Sequence, residues 1–245
     1  MSSARSTAIP SPARQSAHAA HAALIQGLSE GVFAIAGPAG AGKSHIASAL
    51  AVECGATLYS IDCRFIGDSA ERRLLLERKQ LRSLHDYQDS VNQFNWWDWA
   101  AIQRDLDDLA RGRGVVIEAP YDRTTGMRLG PLSLMPAPMV LVEGALLGPP
   151  DLVGRFCKIL FLCAPARVRF ERILDKDGSR RSFNEILARF LVTEYSEALY
   201  YRNLFDWAAN KLAFLDSIEG RPCSPPSLAG DLFLPMRIKW DRIAP

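Results

Sequence analysis

Short apolar runs alternate along the chain with longer amphipathic stretches, a pattern typical of strands that alternate with helices. Residues 32–36 (VFAIA) form a continuous apolar run followed by glycine, as expected for a strand buried on both faces. Ile102, Leu106 and Leu109 share one face at helical spacing. Strands are also predicted at 57–61, 115–118, 139–143 and 159–163, and helices at 44–53, 100–110, 166–174 and 182–205. This order predicts an α/β fold, with a mostly parallel five-stranded sheet covered by helices on both faces.

The remaining segments are less regular. Residues 1–12 are rich in Ser, Ala and Pro and predict a flexible tail. Two further helices are predicted at 13–28 and 69–89, and residues 232–234 could form a last strand. Because no repeat and no domain linker is evident, residues 13–245 are interpreted as a single domain.

Composition narrows the class of protein. The 245 residues are 48% hydrophobic and 23% charged, which excludes a disordered chain or a collagen-like fibre. Lys and Arg total 29 and Asp and Glu total 27, and the resulting charge of +2 argues against a nucleic-acid backbone as the main partner. Five scattered cysteines without zinc-site spacing are typical of a reducing compartment, and no apolar run reaches the roughly 18 residues of a membrane span. We therefore expect a cytoplasmic protein without a membrane partner; its oligomeric state stays open.

A glycine-rich segment separates the first predicted strand from the helix that follows it. Residues 37–44 read GPAGAGKS and fit the P-loop pattern G-x-x-x-x-G-K-[ST] in the required strand–helix context. Glycines let consecutive N–H groups point at an anion, and the helix N-terminus adds partial positive charge. Lys43 is expected to reach the β- and γ-phosphates, and Ser44 to ligate Mg²⁺. The predicted site for ATP and Mg²⁺ comprises Gly37, Pro38, Ala39, Gly40, Ala41, Gly42, Lys43, Ser44 and His45.

Two carboxylates stand at the ends of predicted strands. Asp62 follows the strand at 57–61, and Glu143 closes the strand at 139–143. Ligands of open parallel sheets bind outside the carboxyl ends of the strands, so both side chains should reach the same crevice as the P-loop. Glu143 is expected to complete the magnesium site. Asp62 is expected to accept the proton of an attacking hydroxyl, with a helix-capping or turn role as the alternative.

Several short segments between Val32 and Pro235 occur in the order of one known family. They are GPAGAGKS at 37–44, SIDCRF at 60–65, NWWDW at 95–99, PYD at 120–122 followed by Arg128, LVEGAL at 141–146, RFER at 169–172 and GDLFLP at 230–235. This ordered set resembles the uridine kinase and phosphoribulokinase group of P-loop small-molecule kinases. The chain departs from uridine kinases at Gly126, where they commonly carry a His, and it matches their lid pattern only loosely at 175–181.

The resemblance implies a three-layer P-loop NTPase fold with a small helical lid at about 172–185. It also implies a catalytic set in which lid arginines neutralise the transferred group, namely Asp62, Lys43, Arg172 and Arg181. The acceptor site would comprise Asp62, Trp97, Asp98, Tyr121, Arg123 and Arg128. Trp97 offers an apolar wall and Asp98 a carboxylate for acceptor hydroxyls, with core packing and a helix N-cap as their alternatives. Each arginine has a solvated surface position as its alternative.

Three functions fit these features. The favoured one is an ATP-dependent kinase that phosphorylates a hydroxyl of a small nucleoside-, pentose- or polyol-like acceptor, with Asp62 as general base. The second is a kinase acting on a hydroxymethylated base or sugar in a polynucleotide, which the low net charge disfavours. The third is a nucleotide-dependent switch ATPase, which would need neither Asp62 nor an acceptor pocket. The sequence does not distinguish ATP from GTP.

Overall fold

A central parallel sheet with helices on both faces organises the protein in the computed structural model, which describes residues 29–67, 93–123 and 125–227. The strands are β1 Gly31–Ala36, β2 Thr57–Ser60, β3 Val115–Ile117, β4 Tyr121–Asp122, β5 Met127–Arg128, β6 Leu132–Leu134, β7 Met139–Glu143, β8 Lys158–Cys163, β9 Leu212–Asp216 and β10 Arg221–Pro222. The α-helices are α1 Lys43–Cys54, α2 Trp99–Ala110, α3 Pro150–Val153, α4 Ala166–Asp177 and α5 Phe183–Trp207. Two 3₁₀ turns span Ile61–Arg64 and Gln93–Trp96.

The strand order of the central sheet is β2-β7-β1-β8-β9-β10. The first five strands are parallel, and β10 pairs antiparallel with β9 at the edge. In the middle of β1, Ala34 lies between Val142 of β7 and Ile159 of β8. Because β1 has a neighbour on each side and helices on both faces, the glycine-rich segment that follows it starts near the centre of the sheet.

Alternate residues of β1 supply two separate apolar cores. Val32 and Ala34 belong to the core that packs against α2 and α5, whereas Phe33 and Ile35 belong to the core that packs against α1. All four side chains are buried. Burial on both faces explains why β1 is continuously apolar in sequence rather than alternating.

The structure confirms the α/β fold and differs in which segments form the sheet. Residues 115–118 were expected in the central sheet, but β3 pairs antiparallel with β6 in a separate two-stranded ribbon. The fifth parallel strand is β9, which the sequence pattern does not predict. Its apolar residues follow α5 after a single turn, and so short a run cannot be separated from the end of a helix by periodicity. The predictions at 1–12, 13–28, 69–89 and 232–234 lie outside the described residues.

In the described part of the chain, no helix is both long enough and apolar enough to cross a membrane.

A buried aspartate on α2 fixes the turn that follows β2. Asp105 accepts hydrogen bonds from the Tyr59 hydroxyl at 2.7 Å and from Nε and Nη2 of Arg64, both at 2.7 Å. The hydrogen bond to Asp105 raises the pKa of Arg64, so the guanidinium stays charged. Tyr59 and Arg64 flank Asp62 in sequence. Asp105 therefore holds the backbone that carries Asp62.

We expect Asp105→Ala to lower the free energy of unfolding by about 2–4 kcal/mol, because the buried Tyr59 hydroxyl and the Arg64 guanidinium both lose their acceptor. Asp107→Ala on the same helix is the matched control, since its ion pair with Arg155 is partly exposed and should cost less than about 1 kcal/mol. Urea denaturation measures both. Equal losses in the two variants would contradict the role given to Asp105.

Candidate active site

The loop between β1 and α1 is closed tightly against its neighbours by two glycines. Gly37 has φ +142°, and a Cβ there would lie 2.7 Å from the Leu162 carbonyl oxygen. Gly40 has φ +80°, and a Cβ there would lie 2.6 Å from the Arg169 carbonyl oxygen. Both obstacles are backbone atoms, so no side chain can be accommodated by a rotamer change. The loop can therefore take this shape only with glycine at both positions.

The first turn of α1 presents backbone N–H groups without a side-chain cap. Its N-cap is Gly42, with φ +96°, which has no side chain to accept from the amides of the first turn. The first residue of α1, Lys43, is buried and donates from Nζ to the Pro38 carbonyl oxygen at 3.1 Å. Uncapped amides and a cation at one helix N-terminus fit an anion such as phosphate.

Burial lowers the pKa of Lys43, and three nearby carboxylates oppose that shift. They are Glu197, Glu143 and Asp62 in order of their effect. Carboxylates from α5, from β7 and from the turn after β2 therefore act on one ammonium group. The structure therefore brings Lys43, Glu143 and Asp62 close together at the carboxyl edge of the sheet.

Glu143 lies at the end of β7 between two hydroxyl groups. Its Oε2 accepts from Ser44 Oγ at 3.1 Å, and its Oε1 accepts from Ser60 Oγ at 2.5 Å. A hydroxyl and a carboxylate in contact are the hard oxygen ligands that Mg²⁺ prefers. Among the described residues no group of three or more His, Cys, Asp or Glu could hold a metal. This donor set fits Mg²⁺, which commonly binds one or two protein ligands and takes the rest from phosphate and water.

The residue after Glu143 packs directly on the turn that carries Asp62. A Cβ at Gly144 would lie 2.3 Å from Cδ1 of Ile61. Ile61 is itself buried, so it has no open space to move into. This contact sets the spacing between the ends of β7 and β2.

Asp62 keeps one carboxylate oxygen unpaired. Its Oδ2 accepts from Nη1 of Arg123 at 3.1 Å. Its Oδ1 is buried and finds no hydrogen-bond donor in the described part of the chain. The negative charge of Asp62 raises the pKa of Arg123, so the guanidinium stays charged. Asp62 is thus held through one oxygen, while its other oxygen has no protein donor among the described residues.

The aromatic residues that were predicted for the acceptor site pack against Phe65, next to the turn that carries Asp62. Trp97 is 3% exposed and packs on Phe65 at 4.4 Å and on Trp99 at 5.4 Å between ring centroids. Tyr121 is also buried and lies 5.1 Å from Phe65. The Trp97 indole N–H is buried and has no acceptor among residues 29–67, 93–123 and 125–227. Trp97 is thus mainly a core residue with one unused donor.

Asp98 and Arg128, which were also predicted to bind the acceptor, form hydrogen bonds within the protein. Asp98 is exposed and accepts from the Ala101 amide at 2.9 Å, which makes it the N-cap of α2. Arg128 donates to the carbonyl oxygens of Ala119 at 2.7 Å and Phe65 at 2.8 Å. Both residues therefore shape the loops around the crevice.

The two arginines that were predicted to lie in a lid, Arg172 and Arg181, occupy different places. Arg172 donates from Nη1 to the Gly40 carbonyl oxygen at 3.1 Å and to Ser217 Oγ at 3.3 Å, so it lies on the glycine-rich loop. Arg181 lies between α4 and α5 and pairs with Asp177 at 2.8 Å and Glu185 at 3.5 Å. His45 is exposed on α1.

Three buried charged residues that the sequence reasoning missed support the loop. Arg169 on α4 is fully buried and forms a two-point ion pair with Glu194 on α5, at 2.5 and 2.9 Å. It also donates to the Ala39 carbonyl oxygen at 3.2 Å. Glu197 on α5 accepts from the Ala39 amide at 2.9 Å. The loop backbone is therefore bonded to both helices.

The spacing of residues along α5 could have indicated that Glu194 and Glu197 are buried. Ile186, Phe190 and Tyr201 are buried on α5 and continue at helical spacing through Glu194 and Glu197. Two acidic residues on the apolar face of a helix require partners, because an unpaired buried charge is costly.

Comparison with known proteins rests on structure, since no protein-family model and no curated protein matches the sequence. The fold is similar to that of a protein from Silicibacter sp. TM1040, provisionally described as a fructose transport system kinase. The two share 17% sequence identity with a TM-score of 0.54, over 78% of this chain and 96% of that chain. At this level of identity, the likeness shows that the two chains share a fold. This confirms, at the level of the fold, the resemblance drawn from the motifs.

Two further structures were found at lower similarity. A protein described as a possible uridine kinase from Bacillus stearothermophilus is 17% identical, with a TM-score of 0.41 over 65% of this chain and 85% of that chain. A gluconokinase from Sinorhizobium meliloti 1021 is 17% identical, with a TM-score of 0.36 over 74% of this chain and 93% of that chain.

Gly40→Ala tests the closure of the glycine-rich loop. The Cβ would meet the Arg169 backbone, so the variant should lose affinity for a non-hydrolysable ATP analogue by at least about tenfold, or about 1.4 kcal/mol. Gly112→Ala is the matched control, because Gly112 has φ +73° and nothing within 4 Å of its Cβ position. It should cost only the positive-φ strain of about 1–2 kcal/mol in stability and leave nucleotide affinity unchanged. Isothermal titration calorimetry measures the affinities, and unchanged affinity in Gly40→Ala would contradict the prediction.

Proposed function

We propose that the protein is an ATP-dependent kinase that transfers the γ-phosphoryl group to a hydroxyl of a small nucleoside-, pentose- or polyol-like acceptor. The observation that carries the proposal is the unpaired oxygen of Asp62, buried at a strand end beside Lys43 and the P-loop. A switch ATPase needs no such proton acceptor. A polynucleotide kinase would need a basic surface, which the net charge of +2 does not favour.

The proposed reaction is one displacement at phosphorus. The acceptor hydroxyl oxygen forms a bond to the γ-phosphorus while its proton passes to Oδ1 of Asp62. The bond from the γ-phosphorus to the bridging oxygen breaks, and ADP leaves with that electron pair. Amides of the P-loop bind the phosphates, and Lys43 and Arg172 offset the charge that spreads over the transferred group. Ser44 and Glu143 would hold Mg²⁺, which neutralises phosphate charge when bound.

The acceptor would lie beside Asp62 and the aromatic cluster. Arg123 orients Asp62 through its hydrogen bond, and the unused Trp97 N–H would donate to an acceptor oxygen. Tyr121, Asp98 and Arg128 complete the proposed acceptor site, and Arg181 would act from the lid. The Silicibacter protein is described as a kinase of a fructose transport system, and a sugar hydroxyl belongs to the proposed acceptor class.

Asp62→Asn tests the general base. The amide preserves the size of the side chain and removes its basicity, so phosphorylation of the best acceptor from a nucleoside and sugar library should fall by about 10²–10⁴-fold. Nucleotide affinity should stay within about threefold, because the Asp62 carboxylate is hydrogen-bonded to Arg123 rather than to the P-loop. Acceptor-dependent ADP release measures the rate. Asp151→Asn is the control, since Asp151 is exposed on α3. A rate within tenfold of the wild type would remove Asp62 from the mechanism.

Glu143→Gln tests the magnesium site. The amide keeps both contacts possible but removes the charge, so the Mg²⁺ concentration for half-maximal activity should rise by about 10–100-fold. Glu118→Gln, at an exposed glutamate, should leave the requirement unchanged. Titration of activity with Mg²⁺ at saturating ATP measures the shift, and an unchanged midpoint would exclude Glu143 as a ligand.

A further inference from the structure

The carboxylate of Glu197 already accepts a hydrogen bond from one backbone amide of the P-loop. Its side chain extends from α5, is 1% exposed, and accepts from the Ala39 amide through Oε2 at 2.9 Å. Its other oxygen, Oε1, is buried and has no hydrogen-bond donor in the described part of the chain. A negative group thus sits where the loop offers N–H groups to an anion.

Charged and titratable groups face Glu197 from several elements. They are Lys43 of α1, Arg123 after β4, Arg169 of α4, and Glu194 and Tyr201 of α5. The Arg169 guanidinium forms its two-point ion pair with Glu194 rather than with Glu197. Lys43 and Arg123 are also shared with Glu143 and Asp62. Four carboxylates, those of Glu197, Glu194, Glu143 and Asp62, therefore share the cations around Glu197.

This position conflicts with a bound triphosphate. Two anions in one buried site cannot both stay fully charged without a large cost. Glu197 cannot withdraw easily, since residues on either side of it along α5 are packed in the core. Burial also raises the pKa of Glu197 to about 7, so protonation at neutral pH is inexpensive.

We propose that Glu197 is a further residue of the nucleotide site, which takes up one proton when a nucleoside triphosphate binds. The neutral carboxyl group keeps its acceptor oxygen on the Ala39 amide, and the proton on Oε1 donates to a phosphate oxygen. The proton comes from solvent, no covalent bond of the nucleotide changes, and the proton returns to solvent when the nucleotide leaves. The inference rests on the proposed function, because it requires the P-loop to bind a nucleotide.

Proton uptake is measured by calorimetric titration with a non-hydrolysable ATP analogue and Mg²⁺ in buffers of different ionisation enthalpy. Subtracting the Glu197→Gln result from the wild-type result cancels the nucleotide's own titration. With a pKa of about 7, the difference should be about 0.9 proton at pH 8 and about 0.1 at pH 6. Asp206→Asn, at an exposed aspartate near the end of α5, should behave as the wild type.

Affinity provides a second readout of the same variants. From pH 6 to pH 8 the wild type should lose about tenfold more affinity than Glu197→Gln, whose amide mimics the neutral acid. At pH 8, Glu197→Gln should bind the ATP analogue about tenfold more tightly than the wild type does. At pH 6 the two affinities should be about equal.

The outcomes separate this inference from the function on which it rests. Nucleotide binding with the same uptake in Glu197→Gln and wild type would overturn the role of Glu197 alone. No nucleotide binding by any of the three proteins would overturn the proposed function, and this inference with it. If Glu197→Gln does not fold, the wild type decides: uptake at pH 8 no greater than at pH 6 would overturn the inference.

Discussion

The buried guanidinium of Arg169 is the contact on which the site depends. It joins three parts of the chain: the Ala164 carbonyl oxygen at the start of α4, the Ala39 carbonyl oxygen of the P-loop, and Glu194 of α5. A charge with no exposure is stable only when its donors are matched, so none of these elements can shift independently. The P-loop amides are thereby held in place before any ligand arrives, and preorganised dipoles stabilise developing charge without reorganising.

The carboxylates around Lys43 differ in what remains unsatisfied, and this difference separates their proposed roles. Both oxygens of Glu143 accept from hydroxyl groups, which suits a group that holds a metal or its water. Asp62 is fixed by Arg123 through one oxygen and keeps the other for a proton. Glu197 is fixed by a backbone amide and has no guanidinium bonded to it among the described residues. Three acidic groups that act on one lysine are thus distinguished by the hydrogen-bond partners that each one has.

Local motifs predicted much of the fold and part of the site. The residues from Val32 to Ser44 combine a buried strand, a glycine-rich turn and a helix within one contiguous segment, so neighbouring positions suffice to identify them. Asp62 and Glu143 follow from the rule that parallel strands end at one edge. Arg169, Glu194 and Glu197 act through contacts between residues 25 to 158 positions apart, which no local pattern specifies. Trp97 and Asp98 illustrate a different limit. The sequence alone does not distinguish a tryptophan in a binding pocket from one in the core, or an aspartate in a binding pocket from one that caps a helix.

The contact between Gly144 and Ile61 also bears on how this site can vary among relatives. Position 144 has no room for a side chain while isoleucine occupies position 61, and the nearest obstacle is an aliphatic group that a smaller residue would remove. The two positions should therefore change together: a relative with alanine or serine at 144 is expected to carry a smaller residue at 61. A covarying pair of this kind would join the strand that ends in Glu143 to the turn that begins at Asp62, and would preserve their separation while the sequences around them diverge.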